Sequence, residues 1–176
     1  MASTQPTGVN PARSEETKNV TQSFEGLSTD DKLALLYYIY EKMGDSITPA
    51  APTAADAEIS PQLLRDFYNL SDDQQLAAMR EIVNREDTQV SRAYGALSEN
   101  NQLLVWYAWA QGMGDTVVDM PLNYKAQSEV NSILSQIEKL DFEGQISLLR
   151  QVAGDMGYSI VEPVPSQEET GKTPSL

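Results

Sequence analysis

The 176-residue chain contains no histidine and no cysteine, and those two absences remove most catalytic chemistry. A Ser-His-Asp triad, a thiol nucleophile, a haem held by His or Cys and a Cys/His zinc site all require one or the other. Acid–base work would fall to carboxylates, lysine or tyrosine. Basic residues are also scarce: 12 Lys and Arg stand against 26 Asp and Glu, a formal net charge of −14. So acidic a chain repels phosphate backbones and anionic lipid surfaces, and neither nucleic acid nor a membrane surface is an expected partner. Long hydrophobic runs are missing as well. No uncharged one exceeds eight residues, the length of Leu33 to Tyr40, far fewer than the ~20 that span a bilayer. Residues 1–10 show no basic segment followed by an apolar stretch, so no cleavable leader and no transmembrane segment are expected. The expectation is a soluble cytoplasmic protein; the lack of thiols is consistent with a reducing compartment.

Strand signals are absent too, because Val, Ile and Thr never gather into an alternating run. What is present is helical punctuation. Ser28, Ser71, Ser98 and Asp141 each follow a leucine and precede an acid- or amide-rich turn, as helix N-caps do. Ser71 with Gln74 has the spacing of a capping box, and Ser60 precedes a proline suited to a first helical position. Gly44, Gly114 and Gly157 sit where helices should stop. The expected helices are 14–25, 28–43, 60–69, 71–85, 88–97, 98–113, 123–139 and 141–156, with a long connection around Pro49, Pro52 and the Ala-rich stretch 50–57. Residues 1–13 and 162–176 have the composition of disordered tails, which leaves 14–161 as the folded domain.

The capped helices begin after Leu27, Leu70, Leu97 and Leu140, at intervals of 43, 27 and 43 residues, so a unit of 70 residues is used twice. Identities keep that offset: Leu33 with Leu103, Tyr37 with Tyr107, Met43-Gly44-Asp45 with Met113-Gly114-Asp115, Gln75 with Gln145, Arg80 with Arg150. A duplicated four-helix unit predicts an all-α fold of two discontinuous four-helix bundles related by a pseudo-two-fold axis. Whether the first helix of each unit exchanges between the bundles is left open.

Leu33–Tyr40 and Leu103–Ala110 are apolar on nearly every side and should be central helices. Aromatics at helical spacing are ordinarily core. Yet Tyr37, Tyr38, Tyr40, Trp106, Tyr107 and Trp109 crowd six of the chain's 13 aromatic residues into these two helices, and Met43, Met79, Met113 and Met120 add soft, adaptable side chains. That combination also suits a long apolar ligand. Asp30-Asp31 and Asp72-Asp73 fall in first helical turns, where acids face the positive helix end and need no catalytic role. Gly112-Met113-Gly114 lacks the strand and the third glycine of a dinucleotide loop.

The stretch Asp31–Gly44, with Ile47–Pro52, Asn84–Thr88 and Leu103–Tyr107, resembles the N-terminal domain of cyanobacterial orange carotenoid proteins, and over residues 20–160 the chain is similar to the free-standing helical carotenoid proteins. The resemblance implies a non-enzymatic photoprotective protein that binds one keto-carotenoid, such as canthaxanthin or echinenone, and quenches singlet oxygen. Alternatives it implies are a quencher of phycobilisome excitation, or a carotenoid carrier. It implies carotenoid contacts from Leu33, Leu36, Tyr37 and Tyr40 on one central helix and Leu103, Trp106, Tyr107 and Met113 on the other, with Met79, Met120 and Tyr124. Tyr40 and Trp106 match the aromatic pair that clasps a terminal ring, and Arg150 matches the arginine that meets the regulatory domain or the phycobilisome. Implied partners are thus a carotenoid, the phycobilisome and a C-terminal-domain homologue as carotenoid donor, and the implied location is near phycobilisome or thylakoid. Departures from the family pattern are Tyr37 in place of Trp, Thr53 of Gly, Arg80 of Cys and Glu99 of Pro. With no sensor domain after residue 161, a light-driven switch is not expected.

Overall fold

A computed structural model describes residues 11–47, 60–121 and 123–159. Among them are eight helices: α1 (Pro11–Glu25), α2 (Thr29–Ile47), α3 (Ser60–Tyr68), α4 (Asp72–Val83), α5 (Gln89–Gly95), α6 (Glu99–Gly112), α7 (Ser128–Lys139) and α8 (Phe142–Gly154). The expected tails, beyond a helix start at Pro11 rather than 14, and the Pro49–Pro52 connection lie outside the described residues.

Caps form where the residue types place them. The Ser98 hydroxyl accepts from Asn101 N–H, the Asp141 carboxylate from Gly144 N–H, and the Ser28 hydroxyl from Asp31 N–H. Ser71 and Gln74 close a reciprocal capping box, satisfying two backbone donors that a helix start leaves open.

The pairings of one half recur in the other. Helix α2 packs on α4 as α6 packs on α8, and α2 meets α7 as α6 meets α3. The first helices are exchanged: α1 packs on α7 and α8, α5 on α3 and α4. Side-chain bonds keep the same register. Gln75 donates to the Phe67 carbonyl at 3.3 Å and Gln145 to the Ile137 carbonyl at 3.1 Å; Arg80 donates to Asp30 at 2.9 and 3.1 Å, and Arg150 to Asn100 at 3.4 Å. Helices α2 and α6 meet at the centre of one continuous core in which Leu35, Ile82, Val105 and Val130 are wholly buried, each worth about 1.5–3 kcal/mol relative to exposure.

The halves part company after α2 and α6. Gly44 does not end its helix; α2 runs on to Ile47, and Gly44 has no left-handed φ. Its counterpart Gly114 has φ +83°, and the chain turns so that Gly114 N–H reaches the Val117 carbonyl at 2.9 Å. The difference lies two residues upstream. At Gly112 an added Cβ would stand 2.5 Å from Thr116 Oγ1 and 3.0 Å from Val117 Cγ2, so only glycine lets the turn fold back this tightly. The matching residue of α2 is Lys42, whose ammonium pairs with Glu138 at 3.0 Å. The expected helix from 123 accordingly begins only at Ser128, and the described residues 113–121 and 123–127 form a folded-back segment.

Candidate functional site

That folded-back segment walls a cavity against α2, α4 and α6. Its buried lining is Ala34, Leu36, Tyr40, Met79, Trp106 and Trp109, and its half-buried lining includes Leu33, Tyr37, Leu76, Ala110, Met113, Met120 and Tyr124. The cavity measures about 100 Å³, or about 730 Å³ with the groove out to its mouth. Charge is confined to the exposed rim, where Asp30, Arg80 and Asp119 lie. Nothing in the buried lining is ionised, and the faces it offers are aromatic, aliphatic and thioether.

Packing and hydrogen bonds fix those faces. The Tyr40 hydroxyl donates to the Leu103 carbonyl at 3.3 Å, and burial pushes its pKa upward. Trp106 donates its indole N–H to the Tyr94 hydroxyl at 2.8 Å. Trp106 and Trp109 meet edge to face, with centroids 5.0 Å apart, and Phe67 stacks on Trp109 at 4.3 Å. Such ring pairs add directional attraction to their buried area.

The wall segment is held at three points. Buried Gln75 donates to the Thr116 carbonyl at 3.0 Å and accepts from Val118 N–H at 2.7 Å. Tyr38 donates to Met120 Sδ at 3.6 Å. The Tyr124 hydroxyl donates to the carboxylate of Asp31, which is buried; desolvation first and this bond second raise the tyrosine's pKa. Asp31 is thus more than an acid facing a helix end. It also lines a second, wider depression of about 520 Å³, whose walls mix Leu27 and Ile133 with Ser23, Ser28, Glu129 and Gln136. The Tyr124–Asp31 bond divides the two.

Of the residues singled out in the sequence, the cavity gathers Leu33, Leu36, Tyr37, Tyr40, Met79, Trp106, Met113, Met120 and Tyr124. Three stand apart. Leu103 is buried in the core, Tyr107 meets Tyr40 edge to face at 6.1 Å, and Arg150 is exposed on α8 beside Asn100. The first two, implied by the family resemblance, lie outside this cavity because the wall folded back at Gly112 closes over Leu33 and Tyr37 on α2 and leaves their counterparts in the repeat aside.

A family model described as orange carotenoid protein, N-terminal, matches residues 10–159. The chain belongs to that family.

An orange carotenoid-binding domain-containing protein of Nostoc sp. is 43% identical over 135 residues, covering 76% of this chain and 79% of the relative. An orange carotenoid-binding protein of Limnospira maxima is 35% identical over 161 residues, which are 85% of this chain and 51% of that protein; the chain spans about half the length of such relatives. Among solved structures, the Red Carotenoid Protein of Anabaena (Nostoc) sp. PCC 7120 binding canthaxanthin superposes with a TM-score of 0.72 at 36% identity, covering 81% of this chain and 99% of that one. No helix among the described residues is long and apolar enough to cross a membrane.

For this member of the orange carotenoid protein N-terminal family, sequence reasoning passed over Ala34, Leu76, Ala110 and Val118 as cavity residues and named Trp109 only among the aromatic side chains of the central helices. Helical spacing could have found Leu76, which lies three residues before Met79 on the same face.

Proposed function

We propose that the chain holds one keto-carotenoid in this cavity and serves photoprotection, chiefly by quenching singlet oxygen, with no catalytic step of its own. The observation that carries the reading is the buried lining itself: two tryptophans, a tyrosine, a methionine and two aliphatic side chains, with every charge kept at the rim. Flat conjugated molecules gain directional contacts from such rings, and thioethers adapt to their outline. These residues fit a polyene.

When bound, the pigment supplies a conjugated system that accepts excitation and returns it as heat. What the chain does is keep water away and fix a terminal ring between Tyr40 and Trp106, whose hydroxyl and N–H are already tied to Leu103 and Tyr94. Such work asks for no acid, base or metal, in keeping with a sequence that holds neither histidine nor cysteine. The test is a visible spectrum of the protein purified from a canthaxanthin-producing host. A broad, red-shifted band in stoichiometric amount supports the reading, and a colourless helical protein overturns it.

A second reading, quenching of phycobilisome excitation, draws on Arg150. This guanidinium is exposed and faces the neutral amide of Asn100, whereas its counterpart Arg80 faces the carboxylate of Asp30. An Arg150→Leu protein that keeps its pigment but no longer lowers phycobilisome fluorescence would support that role.

A further inference from the structure

Side chains that react with singlet oxygen are few in kind in this chain. Histidine and cysteine are absent, which leaves methionine, tryptophan and tyrosine. The cavity gathers them: Met79, Met113 and Met120, both tryptophans, and Tyr37, Tyr40 and Tyr124 all belong to its lining.

Access and electron density sort this set. Trp106, Trp109, Tyr40 and Met79 are buried, so an oxidant meets them last. Tyr37 and Tyr124 are half-buried, but a phenol reacts slowly until it ionises. Desolvation first, then the carboxylates of Glu41 and Asp119 at Tyr37 and of Asp31 at Tyr124, raises the pKa of both and keeps them neutral at ordinary pH. Met113 and Met120 remain. Both are half-buried on the wall segment, and a polarisable thioether needs no ionisation to react. The other two methionines of the described residues, Met43 and Met156, are buried in the core and do not line the cavity.

We propose that Met113 and Met120 form an oxidation site for singlet oxygen at the cavity wall, which takes up the oxidant when no pigment is there to quench it. A thioether lone pair adds to singlet oxygen to form a persulfoxide, whose outer oxygen passes to a second thioether, so that one oxygen molecule and two methionines become two sulfoxides. Each sulfur gives up two electrons and the oxygen molecule accepts four, with no proton moved and no group lost. The product is polar where the lining was apolar. At Met120 it sets a strong acceptor in place of a weak one beside the Tyr38 hydroxyl, which already donates to Sδ at 3.6 Å. An oxidised wall therefore refuses an apolar guest, a consequence that rests on the carotenoid reading above, and reduction of the sulfoxides restores it.

The experiment illuminates the full-length apoprotein with rose bengal as the source of singlet oxygen, and peptide mass spectrometry follows the gain of oxygen at each methionine. Met113 and Met120 should convert several-fold faster than Met43, Met79 and Met156, and sodium azide should suppress the reaction. Treated and untreated protein are then offered canthaxanthin. Treatment should cost the wild type most of its pigment uptake, while the Met113→Leu, Met120→Leu double variant, which keeps the side-chain volume at both positions, should load alike before and after treatment. Equal conversion at all of these methionines, or the same loss of uptake in the double variant, overturns the inference; the mapping is done on wild type and decides even if the variant does not fold. If untreated wild type takes up no canthaxanthin, the carotenoid reading falls, and the mapping still upholds or overturns the oxidation site.

Discussion

Trp106 donates its indole N–H to the Tyr94 hydroxyl at 2.8 Å, and Tyr94 passes its own proton to the Ala153 carbonyl at 2.7 Å. One hydroxyl therefore ties α6 to α5 and α8 while fixing a ring of the cavity wall. In Tyr94→Phe the buried indole N–H of Trp106 loses its partner, while the Ala153 carbonyl keeps the Met156 N–H at 3.3 Å, at a cost of about 1–3 kcal/mol. The variant should melt several degrees lower with far-UV helicity retained and the near-UV tryptophan signal altered. An unchanged near-UV spectrum would mean that packing alone orients Trp106.

Gly112 and Gly44 should respond oppositely to alanine. A methyl at Gly112 meets Thr116 Oγ1 at 2.5 Å, so Gly112→Ala forces the turn open and should destabilise by about 1–3 kcal/mol. A methyl at Gly44 meets nothing within 4 Å, inside a helix, so Gly44→Ala should stabilise by about 0.5–1 kcal/mol. Paired denaturant melts decide it, and shifts of equal sign would contradict the account of the two turns.

The amide of Gln75 spans α3 and the wall segment through Phe67, Thr116 and Val118. In Gln75→Leu the Thr116 carbonyl and the Val118 N–H lose this partner, while the Phe67 carbonyl keeps the Leu70 N–H at 3.0 Å, and the segment should open locally before the helices unfold. Hydrogen exchange at the Val118 amide should quicken by at least about tenfold, while amides of α8 keep their protection. Uniform acceleration would show that Gln75 serves the whole core.

Burial raises the pKa of Tyr40 and of Tyr94 above the ordinary 10.0. The folded chain then keeps protons that the unfolded chain gives up above that value. Their contribution to stability is complete below about pH 10 and is lost as pH rises through the folded pKa values, by up to ~1.4 kcal/mol per pH unit for each tyrosine. Denaturant midpoints should be level with respect to these groups from roughly pH 7 to 9 and fall beyond pH 10, in step with the appearance of tyrosinate absorbance. Tyrosinate formation in the fully folded protein near pH 10 at both positions would refute the burial.

Much of the helical frame was legible because its signals are local. Ser71, Ser98 and Asp141 cap the helices they precede, and the 70-residue offset reappears as matching bonds from Gln75 and Gln145. The family resemblance points to Leu33, Leu36, Tyr37 and Tyr40, and the cavity gathers all four from one helix. What stayed hidden depends on distant partners. That Gly114 turns while Gly44 does not is decided by the fit of Gly112 against Thr116, and the burial of Asp31 by a hydroxyl 93 residues away. Leu103 and Tyr107, implied by the family resemblance, stand outside the cavity, and no pattern within α6 separates them from Trp106.

The fold-back at Gly112 has no counterpart at Lys42, so a duplicated frame presents unlike surroundings on its two sides. A guest whose two halves are chemically identical would lose that equivalence on entering: one end group would lie against tryptophan and methionine, the other beyond them. Its paired end-group signals, single in free solution, would split into two sets, with the handedness of the site imprinted on a molecule that has none.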